Sequence, residues 1–376
     1  MTFTDMFIYG PFVLWLAAFF VFVLPCRFKT RAQAVWMMVL LVCFSKFYCF
    51  RALGGDAFVP WLPEKLIWVW NWLYCGACLL FALSLLTLPL RFSRKGVVLP
   101  LLAWGAAAWG VWNGIRPPEV REVEVACAGL PESLEGYRIA HLSDIHVSGA
   151  ARRWRTESIV ERVNAAKPDL ICLTGDLMDG EPARHRRFIE PLRRLEAPDG
   201  VFASTGNHEF YYYIEDWLPV YERWGIRFLR NACAFPRPEL ALAGVEDIAL
   251  DKHSPRWKMM PNVATAFAGA TNGQFRVLME HRPWNARENA ACHGVALQLS
   301  GHTHGGVMPV LSALVARHNR GFVRGFYDLS SRSRLFVSPG AGQWAGFPMR
   351  FFNPGEIALL VLKRGTGDSG KERTLK

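Results

Sequence analysis

Charge is scarce in the first third of this chain. Residues 1–119 carry ten Lys/Arg and four Asp/Glu, and long stretches between them carry none. The scarcity excludes ordinary amphipathic surface helices, which keep a polar face. Basic residues are also missing ahead of the first apolar run, where only Asp5 is charged. A cleavable signal peptide has its basic residues there, so none is expected. The nine cysteines lack zinc-type spacing. Cys75 and Cys78 have C-x-x-C spacing but lie inside an apolar run, without the context of a redox fold. Cys172 reads as core packing. Cys127, Cys233 and Cys292 leave a disulfide open if their domain faces an oxidising compartment. No internal repeat is visible in the second part of the chain.

What is present is hydrophobic: 51% of the 376 residues. Four apolar stretches fall at about 7–24, 34–50, 66–90 and 97–115, each near the roughly 20 residues that cross a bilayer. Lys46 interrupts the second. Tyr9, Trp36, Tyr48, Trp61, Trp68 and Trp112 stand near the ends, as interfacial aromatic belts do. Arg27, Lys29 and Arg31 follow the first stretch, and Arg91, Arg94 and Lys95 the third. In the loop between the second and third, Arg51 and Lys65 are offset by Asp56 and Glu64. The positive-inside bias therefore puts the 27–31 and 91–95 loops in the cytoplasm and both termini on the outer face. The expected organisation is a four-helix membrane domain at 1–116, a large C-terminal domain at 120–363 and a disordered tail at 364–376. The C-terminal domain is expected on the outer, periplasmic side of the inner membrane.

The net charge of +11 is shared by both parts of the chain. Arg152, Arg153 and Arg155 form one basic cluster and Arg184, Arg186 and Arg187 another. Both read first as solvated surface, with contact to anionic lipid headgroups as the sharper alternative. Nucleic acid is a poor partner for a domain tethered outside the cell.

Beyond Pro117-Pro118, Val120–Val125 alternates as a half-exposed strand does. Helices are expected at 156–166, 182–195 and 215–224, and late strands near 334–338 and 356–362. Five apolar runs end in metal-type ligands: Ile139–His146, Leu170–Asp176, Val201–Glu209, Phe275–His281 and Val295–His304. Short apolar runs closed by Gly or Ser read as buried strands entering loops. Ligands collect beyond the carboxyl ends of strands in such sheets, so five loops point to one site. Alternating strands and helices followed by further strands indicate layered α/β or α+β architecture.

Asp144-x-His146, Gly175-Asp176-x-x-Asp179, Gly206-Asn207-His208-Glu209, His281 and Gly301-His302-Thr303-His304 occur in that order. The series resembles the calcineurin-like metallophosphoesterase family over residues 137–362. Leu299–Gly306 and Ser338-Pro339-Gly340 are similar to its membrane-associated bacterial branch. The resemblance implies a four-layer β-sandwich flanked by helices, with two divalent metal ions such as Mn, Fe or Zn. It implies that Asp144, His146 and His304 hold one ion, Asn207, His281 and His302 the other, and Asp176 both. His208 resembles the catalytic histidine at the scissile phosphate or leaving group. The implied reaction is hydrolysis of a phosphoester or pyrophosphate by a metal-bridging hydroxide. Carboxylate and imidazole suit borderline divalent ions on their own chemistry.

His141 reads as structural, Asp179 as a loop-holding residue and Glu209 as a support behind the ligands. His185, His253, His293 and His318 lack motif context. Phe210–Tyr213 is open between a lid, an apolar contact for lipid chains and packing. A phosphorylated, lipid-linked or envelope substrate fits the membrane tether. Some membrane-associated members of the family cleave the pyrophosphate of UDP-2,3-diacylglucosamine from the cytoplasmic side, against the loop charges here. The competing readings are a non-catalytic membrane receptor or scaffold on the same fold, and a metal-dependent nuclease.

Overall fold

The computed structural model describes residues 3–90, 94–150, 152–248, 260–346, 348–365 and 372–375. Arg91, His253 and most of the expected disordered tail lie outside them. The chain divides into two compact units: residues 1–115 with 344–350, and residues 116–343 with 351–376.

The first unit is helical. α1 (Phe3–Ala18) runs into a π-helical turn at Phe19–Val23; α2 (Thr30–Phe44), α3 (Lys46–Gly54), α4 (Glu64–Leu86) and α5 (Lys95–Ile115) follow. Among the described residues, three helical segments are long and apolar enough to cross a membrane: Thr4–Val23, Glu64–Leu86 and Lys95–Ile115. The pair α2 and α3 makes a fourth candidate, bent by 56° at Ser45. The break sits beside the charge that interrupts this stretch. Lys46 is fully buried, and its Nζ donates to the carbonyl of Ala345 at 3.0 Å and lies 4.3 Å from the Phe47 ring centroid. A buried ammonium needs such partners. Ala345 belongs to the late segment 344–350, which is part of this unit. In it Trp344 stacks on Phe58, and the Arg350 N–H donates to the Gly110 carbonyl at 2.9 Å.

The second unit holds two mixed sheets. The strands are β1 (Glu119–Cys127), β2 (Arg138–Leu142), β3 (Leu170–Thr174), β4 (Val201–Ser204), β5 (Ile226–Phe228), β6 (Ala232–Arg237), β7 (Leu240–Gly244), β8 (Phe275–Met279), β9 (Leu297–Ser300), β10 (Gly325–Ser330), β11 (Ser333–Val337), β12 (Glu356–Arg364) and β13 (Glu372–Leu375). One sheet has the order β13-β1-β12-β2-β3-β4-β5 and the other β10-β11-β9-β8-β7-β6. The helices are α6 (Arg153–Ala165), α7 (Pro182–Ile189), α8 (Asn207–Tyr211), α9 (Ile214–Arg223), α10 (Val263–Ala266), α11 (Ala286–His293) and α12 (Pro309–His318).

Alternating side chains divide each strand between two cores. Ile139, Leu170, Cys172, Val277, Leu297 and Leu360 share a core drawn from both sheets. Ala140, Ile171 and Leu173 point the other way and join Ile159, Val163, Ile189 and Trp217. Ala243 and Leu278 pack with Val263 and Phe267 on the outer face of the second sheet. The result is the expected order of helix, sheet, sheet and helix.

Several details differ from the sequence reading. The helix expected at 182–195 turns from α-helix into a 3-10 turn at Glu190, where Pro191 removes a backbone donor. Residues 372–375, inside the expected disordered tail, form a strand antiparallel to β1, whose free edge offers unpaired backbone groups. All nine cysteines are free thiols, so the disulfide left open among Cys127, Cys233 and Cys292 is not formed. Arg155 is not surface: it is buried, and its Nη2 donates to the Ala341 carbonyl at 2.5 Å. Arg153 and Arg184 are held by Glu157, Glu190 and Glu181.

Candidate metal centre

Each of the five apolar runs is a strand, and the loops beyond all five meet at Asp144 and Asp176. β2, β3 and β4 are parallel neighbours, with Ala140 opposite Ile171 and Ile171 opposite Val201. Their carboxyl ends therefore lie side by side. β8 and β9 form the matching parallel pair in the other sheet. At these ends the chain turns on left-handed residues that are not glycine: Asp144 (φ 52°), His146 (45°), Asp176 (54°), His302 (70°) and His304 (47°). Such conformations cost about 1–3 kcal/mol each and concentrate where function requires a particular geometry. Two glycines make the close approach possible. A Cβ at Gly206 would collide with the Asp176 carboxylate, and one at Gly301 with Ser143 and Asp144.

Among the described residues, three groups of side chains converge closely enough to hold a metal ion: Asp144 with His146 and His304, His146 with Asp179 and His208, and Asp144 with Asp176 and His281. Asp176 Oδ2 lies 3.6 Å from His146 Nε2, 3.3 Å from His281 Nε2 and 4.0 Å from His208 Nε2. Asp144 Oδ1 lies 3.9 Å from His146 Nε2 and 3.7 Å from His304 Nε2. The His302 N–H donates to both oxygens of Asp144, at 3.2 and 3.0 Å, and its ring centroid is 5.1 Å from that of His281. Asn207 opens α8 directly beyond β4, and its Oδ1 is buried without a hydrogen-bond partner.

The donor set fits cations. His281 Nδ1 lies 2.7 Å from the Thr174 carbonyl, which can only accept, so the ring proton sits on Nδ1. His146 Nδ1 lies 3.1 Å from Asp179 Oδ1 in the same relation. Both rings thus turn Nε2 toward the Asp176 carboxylate, and among the described residues neither Nε2 has a hydrogen-bond partner. Lone pairs aimed at a carboxylate repel it unless a positive charge lies between, and a backbone carbonyl or carboxylate behind the ring is the usual support of a metal-binding histidine. Without the metal, a proton takes that place on His281. Burial opposes a charge on His281, but the Asp176 carboxylate outweighs it and pushes the pKa up to about 10. His208 rises likewise to about 9, against burial, through Asp176 and Asp179. Burial would raise the Asp176 carboxyl, yet His281 and His208 hold it well below the usual range. His302 is the converse: burial, with the positive charges of His281 and Arg282, holds it well below its ordinary value and so in the neutral form.

Sequence reading underrated Asp179. Its Oδ1 accepts from His208 Nδ1 at 2.6 Å and faces His146 Nδ1 at 3.1 Å, so one carboxylate orients two rings of the site. The signal was its place three residues beyond Asp176, on the same loop. Glu209 accepts the N–H groups of Asp176, Leu177 and Gly206 at 2.8, 2.8 and 2.6 Å and locks the β3 loop to the β4 loop. Strand β7 was not read at all. Glu246 and Asp247 follow it in the next loop, and Asp247 Oδ2 accepts from Arg282 Nε at 2.8 Å, directly after His281. His141 stays in the core: its Nε2 is 2.7 Å from Thr174 Oγ1, and burial lowers its pKa to about 3.

Residues 137–306 match a family model described as calcineurin-like phosphoesterase. A transmembrane protein with metallophosphoesterase domain from Danio rerio is 35% identical over 280 residues, covering 72% of this chain and 63% of that protein. An uncharacterized metallophosphoesterase from Helicobacter pylori is 32% identical over 273 residues, covering 72% of this chain and 70% of its own. The chain belongs to the calcineurin-like phosphoesterase family. It carries a metallophosphoesterase domain, whose class of chemistry is hydrolysis of phosphoester bonds, together with N-terminal helices that are candidate membrane spans. Among solved structures, a dimetal phosphatase from Danio rerio is similar at 12% identity, with a TM-score of 0.36, over 55% of this chain and 88% of its own.

Proposed function

We propose that this protein is a membrane-anchored, two-metal phosphoesterase whose substrate is a phosphoester or pyrophosphate of a lipid or envelope precursor. The observation that carries the reading is the pair of imidazole Nε2 atoms, on His146 and His281, that face one buried carboxylate, Asp176, with no hydrogen-bond partner among the described residues. In this reading Asp144, His146 and His304 hold one divalent ion and Asn207, His281 and His302 the second. Asp176 would be shared by both. The ions supply an activated water at neutral pH and charge neutralisation at the phosphoryl oxygens. Asp179 fixes the His208 proton on Nδ1, which leaves Nε2 toward the site to deliver a second proton to the leaving oxygen. Arg282, over the Trp284 ring at 4.8 Å and tied to Asp247, stands one residue beyond His281 to receive a phosphate oxygen.

We assign the membrane unit to 1–116 and the catalytic domain to 120–363, except that residues 344–350 within the latter range belong to the helical unit. Substrate linkage to lipid is supported by the four candidate spans, since they keep the site near a bilayer. An outward-facing catalytic domain is supported by the basic 27–31 and 91–95 loops. A C-terminal alkaline phosphatase fusion should be active and a C-terminal fluorescent protein dark; the reverse pattern places the domain in the cytoplasm.

The test of the function is hydrolysis of a chromogenic phosphodiester by the full chain in detergent, after metal stripping and reloading with manganese. Turnover restored by the metal supports the enzyme. Two bound ions with no turnover on phosphodiesters, phosphomonoesters or lipid phosphates favour the scaffold.

Metal loading should also release protons. At pH 7 the metal-free His281, with its pKa near 10, holds a proton that ligation displaces. Affinity therefore rises with pH, by up to about tenfold per unit while His281 remains protonated, and levels off above about pH 10. Titration calorimetry in buffers of different ionisation enthalpy reads the proton count. A buffer-independent heat at pH 7 contradicts the assignment.

A further inference from the structure

The helical unit contains a cleft of about 660 Å³. It opens between the turn after the first candidate span and the connection from α4 to α5. Arg27, Arg94 and Lys95 line one part; Phe28, Leu88, Leu90 and Val97 line another. These are the two loops that carry the chain's membrane-proximal basic residues, and folding brings them to one place. Among the described residues no Asp or Glu lines the cleft.

The three cations are not equivalent. Lys95 is buried, and its Nζ donates to the Thr87 carbonyl at 2.7 Å, so its charge caps the carboxyl end of α4. Arg27 and Arg94 are exposed, and among the described residues neither forms an ion pair. Both adopt left-handed backbone, φ 52° and 63°, which is uncommon for arginine. The first turn of α5 opens on the same cleft, and the amino end of a helix favours an anion. Leu88, Leu90 and Val97 are 43%, 56% and 58% exposed, so the apolar wall is available to hydrocarbon. A bilayer surface offers phosphate and acyl chain side by side. A soluble anion has no use for the apolar wall.

We infer that this cleft binds the phosphate of an anionic glycerophospholipid between Arg27 and Arg94, with its acyl chains along Leu88, Leu90 and Val97. The inference rests on the membrane-spanning reading of the helices and is independent of the metal centre. Each basic group near an anionic membrane surface strengthens binding appreciably, and two of them predict a preference of about tenfold or more over zwitterionic lipid.

The test uses the full chain in detergent, incubated with equal amounts of phosphatidylglycerol and phosphatidylcholine and read by native mass spectrometry. Wild type should retain phosphatidylglycerol preferentially. The double variant R27Q/R94Q should lose the preference, while R27K/R94K should keep most of it. Metal-dependent phosphodiesterase turnover is unchanged in both variants, since neither position belongs to that site, and serves as the control for folding. If R27Q/R94Q is misfolded, the lysine pair against each single glutamine variant carries the comparison. No lipid preference in wild type, or an equal preference in folded R27Q/R94Q, overturns the proposal. Displacement of the lipid by millimolar inorganic phosphate makes the cleft a free-anion site instead and also overturns it.

Discussion

Asp176→Asn is expected to cut metal-dependent turnover by about 10²–10³-fold at saturating metal, and to leave less metal bound at limiting concentrations. The magnitude follows from the position of the carboxylate. Asp176 is 2% exposed and lies within 4.0 Å of the imidazole nitrogens of His146, His208 and His281. Removing one partner of a buried charge cluster costs about 3–5 kcal/mol, because the remaining charges stay desolvated. Asparagine keeps the volume and one oxygen, so the loop retains its shape: the His208 N–H still finds an acceptor at Oδ1, at 2.8 Å in the wild type. What disappears is the negative charge that two cations would share. The measurements are phosphodiester turnover and metal content by inductively coupled plasma mass spectrometry. Turnover at the wild-type level would end the two-metal reading altogether.

His208→Ala should behave differently. Expected is a fall in kcat of about 10²–10⁴-fold with both metals still bound. His208 is one bond removed from the proposed ion sites: its Nδ1 is committed to Asp179 at 2.6 Å, and its Nε2 stands 4.0 Å from Asp176 Oδ2. The raised pKa keeps it protonated near neutrality in the metal-free protein. Cations at Asp176 neutralise much of the charge that raises it, which moves the group toward the range where it can give up a proton during turnover. The loss should therefore be large for substrates with an alkoxide leaving group and small for p-nitrophenyl esters, whose leaving group needs no proton. An equal loss for both, or departure of the metals, would make His208 a structural residue. Asp179→Asn should reproduce part of the His208 effect, because Asp179 holds that ring in place.

Much of the site could be read directly. A buried strand in a layered α/β fold is a short apolar run, and the turn that follows it is crowded, so Gly or Ser appears there. Asp144, Asp176, Asn207 and His302 all stand immediately beyond such signals. His281 has no glycine before it, yet it follows Met279-Glu280 at the end of β8 and reaches the same carboxylate. The candidate spans were equally legible, because an uncharged run of about 20 residues has few other uses. Asp179 was misjudged since sequence spacing cannot tell a side chain that bonds its own loop from one that bonds two distant rings. β7 was missed because Leu-Ala-Leu-Ala-Gly lacks a motif, although its Glu246 and Asp247 hold Arg230 and Arg282.

The sequence by itself determined most of the strand and helix segments, the apolar N-terminal runs and the residues proposed to carry the chemistry. Each of these depends on local periodicity or on residue type. Tertiary structure alone decided which strand ends became neighbours. β12, from the far end of the chain, lies between β1 and β2, and the ends of β8 and β9 meet those of β2 and β3 across two sheets. It decided too that residues 344–350 join the helical unit, where Ala345 receives the buried ammonium of Lys46. Pairings across a hundred or more residues are set by which apolar faces and charged groups can be satisfied together, and no local pattern records that.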